Sequence, residues 1–91
     1  MTYANNGRPL RYLPTRLTAA ALISTLESIG IAIPTSIRVS AGQSREDLGY
    51  SIRASKFSVG PKELDDALAK QELSISEKLR LKFALETIGI Y

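Results

Sequence analysis

The chain has 91 residues, of which 44% are hydrophobic and 23% are charged, and its formal net charge is +3. This length suits one small domain with a thin core. The sequence contains no cysteine and no histidine, which excludes disulfides, thiolate nucleophiles, zinc–thiolate sites and imidazole bases. No apolar run approaches membrane-spanning length. We therefore expect a cytoplasmic protein that binds no metal, no cofactor and no membrane.

The remaining catalytic routes also lack their motifs. A serine nucleophile with a lysine base requires a pattern such as S-x-x-K, and a phosphate-binding loop requires G-x-x-x-x-G-K or G-x-G-x-x-G. None of these patterns occurs in the chain. The sequence predicts a protein that is not an enzyme.

Residues 1–14 are predicted to form a flexible basic arm, and residues 15–91 a single helical domain. Asn5-Asn6-Gly7, Pro9 and Pro14 all disfavour a helix. Residues 1–16 contain three arginines and no acidic residue. An arm of this kind is typical of nucleic-acid binding, but it also occurs as a plain leader.

The first helix is predicted from about Arg16 to Ile29, with Thr15 as its N-cap and Gly30 as its stop. One face is apolar, and the opposite face carries small residues, among them Ala21 and Ser24. Small residues let a second element approach closely, so these two are candidate interface residues. The alternative is a run of good helix formers that faces water.

The middle of the chain allows two interpretations. Ser44 is a typical N-cap with Asp47 three residues later, which favours a second helix from Arg45 to about Lys56. Tyr50, Ile52 and Ala54 also alternate as in a strand, and such a strand would pair within a short hairpin around residues 36–59. We favour the helix. The predicted fold is mainly α, a small four-helix domain with an extended N-terminal arm, and the alternative is α+β.

Two further helices follow. Gly60-Pro61 opens the third, since proline is favoured at the first helical position. Ser74 or Ser76 caps the fourth, which ends at Gly89 and has two apolar stripes on roughly opposite sides. One stripe contains Leu81, Ala84, Leu85 and Ile88, and the other contains Ile75, Leu79 and Phe83. Either this helix is buried on both sides, or the second stripe contacts a partner or a second copy of the chain. We favour the interface.

The segment from Ala54 to Leu68, ASKFSVGPKELDDAL, resembles the core of the helix-turn-helix DNA-binding superfamily. The residues that carry the resemblance are Ala54, Phe57, Ser58, Val59, Leu64 and Ala67. The segment Gly7-Arg8-Pro9 is similar to arms that lie in the DNA minor groove. The resemblance implies that Arg8 and Arg11 enter the minor groove, while Arg16, Lys56 and Lys62 contact phosphates.

Two adjacent carboxylates work against the DNA-binding interpretation. Asp65 and Asp66 lie on the outward face of the helix that would read the bases, where they repel phosphates. We therefore favour a non-enzymatic protein-interaction or homo-oligomerising domain, and the alternative is a helix-turn-helix-like DNA-binding regulator. The predicted interface consists of Ile75, Leu79, Phe83, Ala21 and Ser24.

Overall fold

The structure, a computed structural model, describes residues 9–37, 39–40 and 42–91. This part of the chain contains four helices and no strand: α1 (Ala19–Ser28), α2 (Arg45–Ser55), α3 (Pro61–Ala69) and α4 (Ile75–Thr87). The predicted mainly α fold is confirmed. The alternative hairpin around residues 36–59 is wrong, because Tyr50, Ile52 and Ala54 all lie within α2.

Serine hydroxyls cap the starts of α2 and α4. The Ser44 hydroxyl accepts a hydrogen bond from the Asp47 amide at the start of α2, and the Ser74 hydroxyl accepts one from the Glu77 amide at the start of α4. Both serines satisfy a backbone N–H that has no partner within its helix. The third helix begins with Pro61 in its first turn, as predicted.

The first helix begins three residues later than predicted. Thr18, rather than Thr15, is the N-cap, and its hydroxyl accepts a hydrogen bond from the Ala21 amide. The sequence offers two threonines as caps, and packing selects the second. Leu17 and Leu22 then occupy the positions of a hydrophobic staple: Leu22 is buried in the core, and Leu17 is partly buried and packs against it.

The core is formed by one apolar face from each helix, and α1 packs against α4. The most deeply buried large side chains are Leu22, Leu26, Leu48, Ile52, Leu64, Leu81, Leu85 and Ile90. The end of the chain returns to the body, where the Val59 amide donates a hydrogen bond of 2.7 Å to the Ile90 carbonyl. The core is thus aliphatic and draws on every helix.

Residues 10–15, the N-terminal strap, run along the loop before α4. The Leu10 amide donates to Gln71 Oε1 at 2.8 Å, and the Leu10 carbonyl accepts from the Glu72 amide at 2.8 Å. The Leu13 amide donates to Glu77 Oε2 at 2.9 Å, and the Leu13 side chain is buried. The predicted flexible arm did not include this attachment, and residues 1–8 lie outside the described residues.

A side chain of α4 holds the end of the strap. The Arg80 guanidinium donates hydrogen bonds to the carbonyl oxygens of Pro14 and Thr15, at 2.6 and 3.1 Å. Because the acceptors are neutral carbonyls, the positive charge of Arg80 stays uncompensated at this contact. The strap therefore positions a cation beside the outward face of α4.

Candidate functional site

Three large apolar side chains lie exposed in a row on α4. Ile75, Leu79 and Phe83, which we call the outer stripe, are 78%, 59% and 67% exposed. The expectation that α4 is buried on both sides is wrong, because these side chains face outward from the body. The outer stripe is the most prominent apolar feature of the described surface.

The periodicity of α4 explains this arrangement. Successive residues of an α-helix are turned by about 100°, so residues four apart share a side. Leu81, Ala84 and Leu85 lie on the other side of the helix and are buried in the core. Helix α4 thus buries one apolar face inside the domain and leaves a second one uncovered.

A groove lies beside the outer stripe, between α3 and α4. Its volume is about 280 Å³, and it is lined by Asp65, Leu68, Ala69, Ile75, Lys78, Leu79 and Lys82. Leu68 is buried, while Ile75 and Leu79 project from the opposite wall. Ile75 and Leu79 of the outer stripe therefore form one wall of a concave surface whose interior is apolar and whose rim is charged.

Charged side chains occupy the rim of this groove. Lys82 forms an ion pair with Asp65, and its hydrogen bond to that carboxylate is the main reason why its pKa is raised above 10.5. Lys78 is partly exposed and has no ion pair within the described residues. The rim thus contains one paired and one unpaired lysine.

The candidate interface residues of α1 lie elsewhere. Ser24 is exposed and Ala21 is partly exposed, next to exposed Ala20 and Glu27. Neither candidate lines the groove beside the outer stripe. The predicted interface is therefore split between two helices, and only its α4 portion combines apolar side chains with a concavity.

The residues predicted to contact DNA are dispersed. Arg8 lies outside the described residues. Arg11 is exposed and forms an ion pair of 2.9 Å with Glu72. Lys56 is exposed and caps α2 in the left-handed conformation, with φ of 59°, and Lys62 is exposed at the start of α3. No described cavity brings these side chains together.

Arg16 has a basic neighbour that sequence reasoning did not single out. Arg16 and Arg45 line one open cavity of about 380 Å³ at the N-terminal ends of α1 and α2. The two residues are 29 positions apart, and neither belongs to a motif that would have linked them. Their proximity follows from the packing of the helices alone.

The residues of the helix-turn-helix resemblance occupy mixed environments. Val59 and Leu64 are buried, as that pattern requires, but Ala54 is exposed and Ile52 is buried in its place. The carboxylates Asp65 and Asp66 are both exposed on α3. The resemblance stays a prediction, and the exposed carboxylates give its second helix an acidic outward face.

Comparison with known proteins gives no relative. No protein-family model, no curated protein and no solved structure matches the chain. Among the described residues, no helix has both the length and the hydropathy needed to cross a membrane. The same part of the chain contains no group of three or more acidic residues placed to hold a metal ion.

Proposed function

We propose that this protein is a non-enzymatic protein-interaction domain that binds its partner through the outer stripe of α4. The observation that carries the proposal is the exposure of Ile75, Leu79 and Phe83 in one row. Single exposed apolar residues are common on protein surfaces. A contiguous apolar patch beside a charged rim is instead typical of binding sites.

The shape of the surface supports the same proposal. Interface hot spots are bulky side chains that fill pockets, surrounded by a rim that excludes water. The outer stripe supplies bulky side chains, and the groove beside it supplies a pocket with Lys78, Lys82 and Asp65 at its rim. We place the protein in the cytoplasm as part of this proposal, because a small domain without cysteine suits a reducing compartment.

Site-specific photo-crosslinking tests the proposal. A benzoylphenylalanine is introduced at Leu79 or, as a matched control, at Glu46, which is exposed on α2 and belongs to no predicted interface. The full chain is expressed in its native cells and irradiated. We expect a discrete crosslinked species from position 79 that is absent from position 46, because only position 79 lies within the proposed surface.

A second substitution tests whether the crosslink depends on the outer stripe. Phe83→Glu places a charge in the outer stripe one turn from the probe, and it should abolish the species formed from position 79. Sedimentation velocity at two concentrations then shows whether that species contains a second copy. The same pattern of crosslinks from positions 79 and 46, or a crosslink insensitive to Phe83→Glu, would overturn the proposal.

A DNA-binding regulator is the second candidate. The observation in its favour is the shared cavity of Arg16 and Arg45, since pairs of arginines are suited to phosphate contacts. The ion pair of Arg11 with Glu72 and the exposed carboxylates of α3 count against it.

Fluorescence anisotropy with mixed-sequence duplex DNA at low and moderate salt tests this candidate. If it is correct, Arg16→Gln plus Arg45→Gln should weaken binding and flatten its salt dependence, whereas Lys70→Gln should not. A lack of binding at low salt, or binding without a salt slope, would rule it out.

A further inference from the structure

We propose that the occupant of the outer stripe is an amphipathic helix of another protein with acidic residues along both edges of its apolar face. This inference rests on the proposed function and specifies the chemistry of the partner. It follows from the charges that border the stripe, from the shape of the groove and from the mismatch between the stripe and a second copy of itself.

Cations border the outer stripe on both sides. At about 100° per residue, Lys78 and Lys82 lie along one edge of the stripe, next to Ile75 and Leu79. Arg80 lies beyond the other edge, where its guanidinium, within the described part of the chain, donates hydrogen bonds to the neutral carbonyls of Pro14 and Thr15 and forms no ion pair. A helix docked on the stripe therefore meets positive charge on either side.

Acidic residues do not cancel this pattern. Asp65 pairs with Lys82, and Glu77 is directed to the Leu13 amide and the Ser74 hydroxyl. Glu86 is exposed, but it lies near the C-terminal end of the stripe. Around Leu79, at the middle of the stripe, the unpaired charges within the described residues are those of Lys78 and Arg80.

The same charges disfavour a second copy of this chain. In a two-fold dimer the same patch of each subunit forms the interface. If the two α4 helices ran antiparallel, the edge with Lys78 and Lys82 would face the same edge of the copy. If they ran parallel, that edge would face Arg80. Both arrangements oppose like charges, whereas an acidic helix forms complementary pairs with either edge.

The groove favours a helix over a lipid surface. An apolar stripe bordered by lysines also suits an anionic bilayer. However, Ile75 and Leu79 of the stripe form one wall of a concavity of about 280 Å³. A concave surface accepts a projecting side chain such as leucine or phenylalanine, which a helix supplies and a layer of lipid headgroups does not.

Phage display of helical peptides tests the inference. In the library, three positions spaced four apart are restricted to large apolar residues, and the flanking positions vary equally among Glu, Gln and Lys. Selection on the wild-type protein is compared with selection on Leu79→Gln plus Phe83→Gln. We expect enrichment of Glu over Lys at the flanking positions by roughly tenfold, because the unpaired Lys78 and Arg80 attract Glu and repel Lys.

Charge reversal supplies the matched control. Lys78→Glu should abolish or reverse the preference for Glu, since Lys78 has no ion pair within the described residues. Lys62→Glu makes the same charge change on an exposed position of α3 outside the groove, and it should leave the preference unchanged.

The outcomes separate this inference from the proposed function. Peptides that require the outer stripe but show no preference for Glu would overturn the acidic partner and leave the interaction domain standing. A wild-type dimer in sedimentation that is lost in the Leu79→Gln plus Phe83→Gln variant is a different outcome. That result would also overturn the acidic partner and leave the interaction domain standing. Stripe-dependent binding to phosphatidylglycerol vesicles, with no peptide enriched over the double variant, would overturn both.

Discussion

The two faces of α4 have nearly the same composition and opposite environments. Leu81 and Leu85 on the inner face are fully buried, whereas Leu79 and Phe83 on the outer face are mostly exposed. Burial of the inner face stabilises the fold, since each buried aliphatic side chain contributes roughly 1.5 to 3 kcal/mol. The outer face contributes little to the fold, so its apolar character requires another explanation.

The outward face of α1 differs in composition from that of α4. It carries Ala20, Ser24 and Glu27, which are small or polar. Helices α1 and α4 pack against each other, and each buries one apolar face. Only α4 adds a second one. Packing of a helix in this domain therefore does not by itself require an exposed apolar face such as the outer stripe.

Of the substitutions that compare the two faces of α4, truncation of a side chain on the inner face should reduce the free energy of unfolding most. Leu85→Ala leaves a cavity in a core where Leu85 is fully buried, so we expect the free energy of unfolding to fall by about 2 to 5 kcal/mol. Urea denaturation followed by circular dichroism measures it. A loss below about 1 kcal/mol would mean that the inner face is not the core face.

Loss of the α4 cap should have the next largest effect, because it weakens the helix that presents both faces. Ser74→Ala removes the hydroxyl that accepts from the Glu77 amide, and we expect a loss of about 1 kcal/mol. The control is Ser76→Ala, which removes a neighbouring hydroxyl without uncapping the helix. If Ser74→Ala and Ser76→Ala have equal free energies of unfolding, Ser74 is not the residue that caps α4.

Release of the strap should have a smaller and local effect at one edge of the outer face. Arg80→Gln removes the guanidinium that contacts the Pro14 and Thr15 carbonyls. Amide hydrogen exchange should become faster in the strap, with Leu13 as the reporter, while the core amides of α4 keep their protection. Unchanged exchange in the strap would show that Arg80 does not hold it.

The ion pair at the other edge should have the smallest effect on stability, and that effect should change with pH only under alkaline conditions. The Asp65 carboxylate raises the pKa of Lys82 above 10.5. The stabilisation is therefore fully present below the unfolded pKa and is lost as pH rises through the folded pKa. The difference in unfolding free energy between wild type and Asp65→Asn should be constant from pH 7 to 10 and shrink above it. A difference that grows with pH would contradict this assignment.

Local signals made much of the fold predictable from the sequence. Ser44 and Gly60-Pro61 placed the starts of α2 and α3 correctly because capping depends on residues within one turn. Thr18 was missed because Thr15 offers the same chemistry, and the choice depends on how Leu17 packs. Helix boundaries that are set by capping residues nearby in the sequence could therefore be predicted. Boundaries that are set by tertiary packing could not.

The candidate site was only half predictable, for a related reason. Helical periodicity placed Ile75, Leu79 and Phe83 on one side of α4, but periodicity does not reveal how many sides a helix buries. The groove depends on Ala69 of α3 lying beside α4, and the strap joins Leu13 to Glu77, 64 positions away. Contacts of this kind leave no pattern in a single sequence.

Equilibrium unfolding of the Leu79→Gln plus Phe83→Gln variant tests the central claim most directly. Glutamine preserves helix propensity and adds no charge, so the variant removes only the apolar character of the outer stripe. Measured at two protein concentrations to separate folding from association, its free energy of unfolding should stay within about 0.5 kcal/mol of wild type. A concentration-independent loss comparable to that of Leu85→Ala would show that the stripe belongs to the core, and would contradict its assignment as a binding surface.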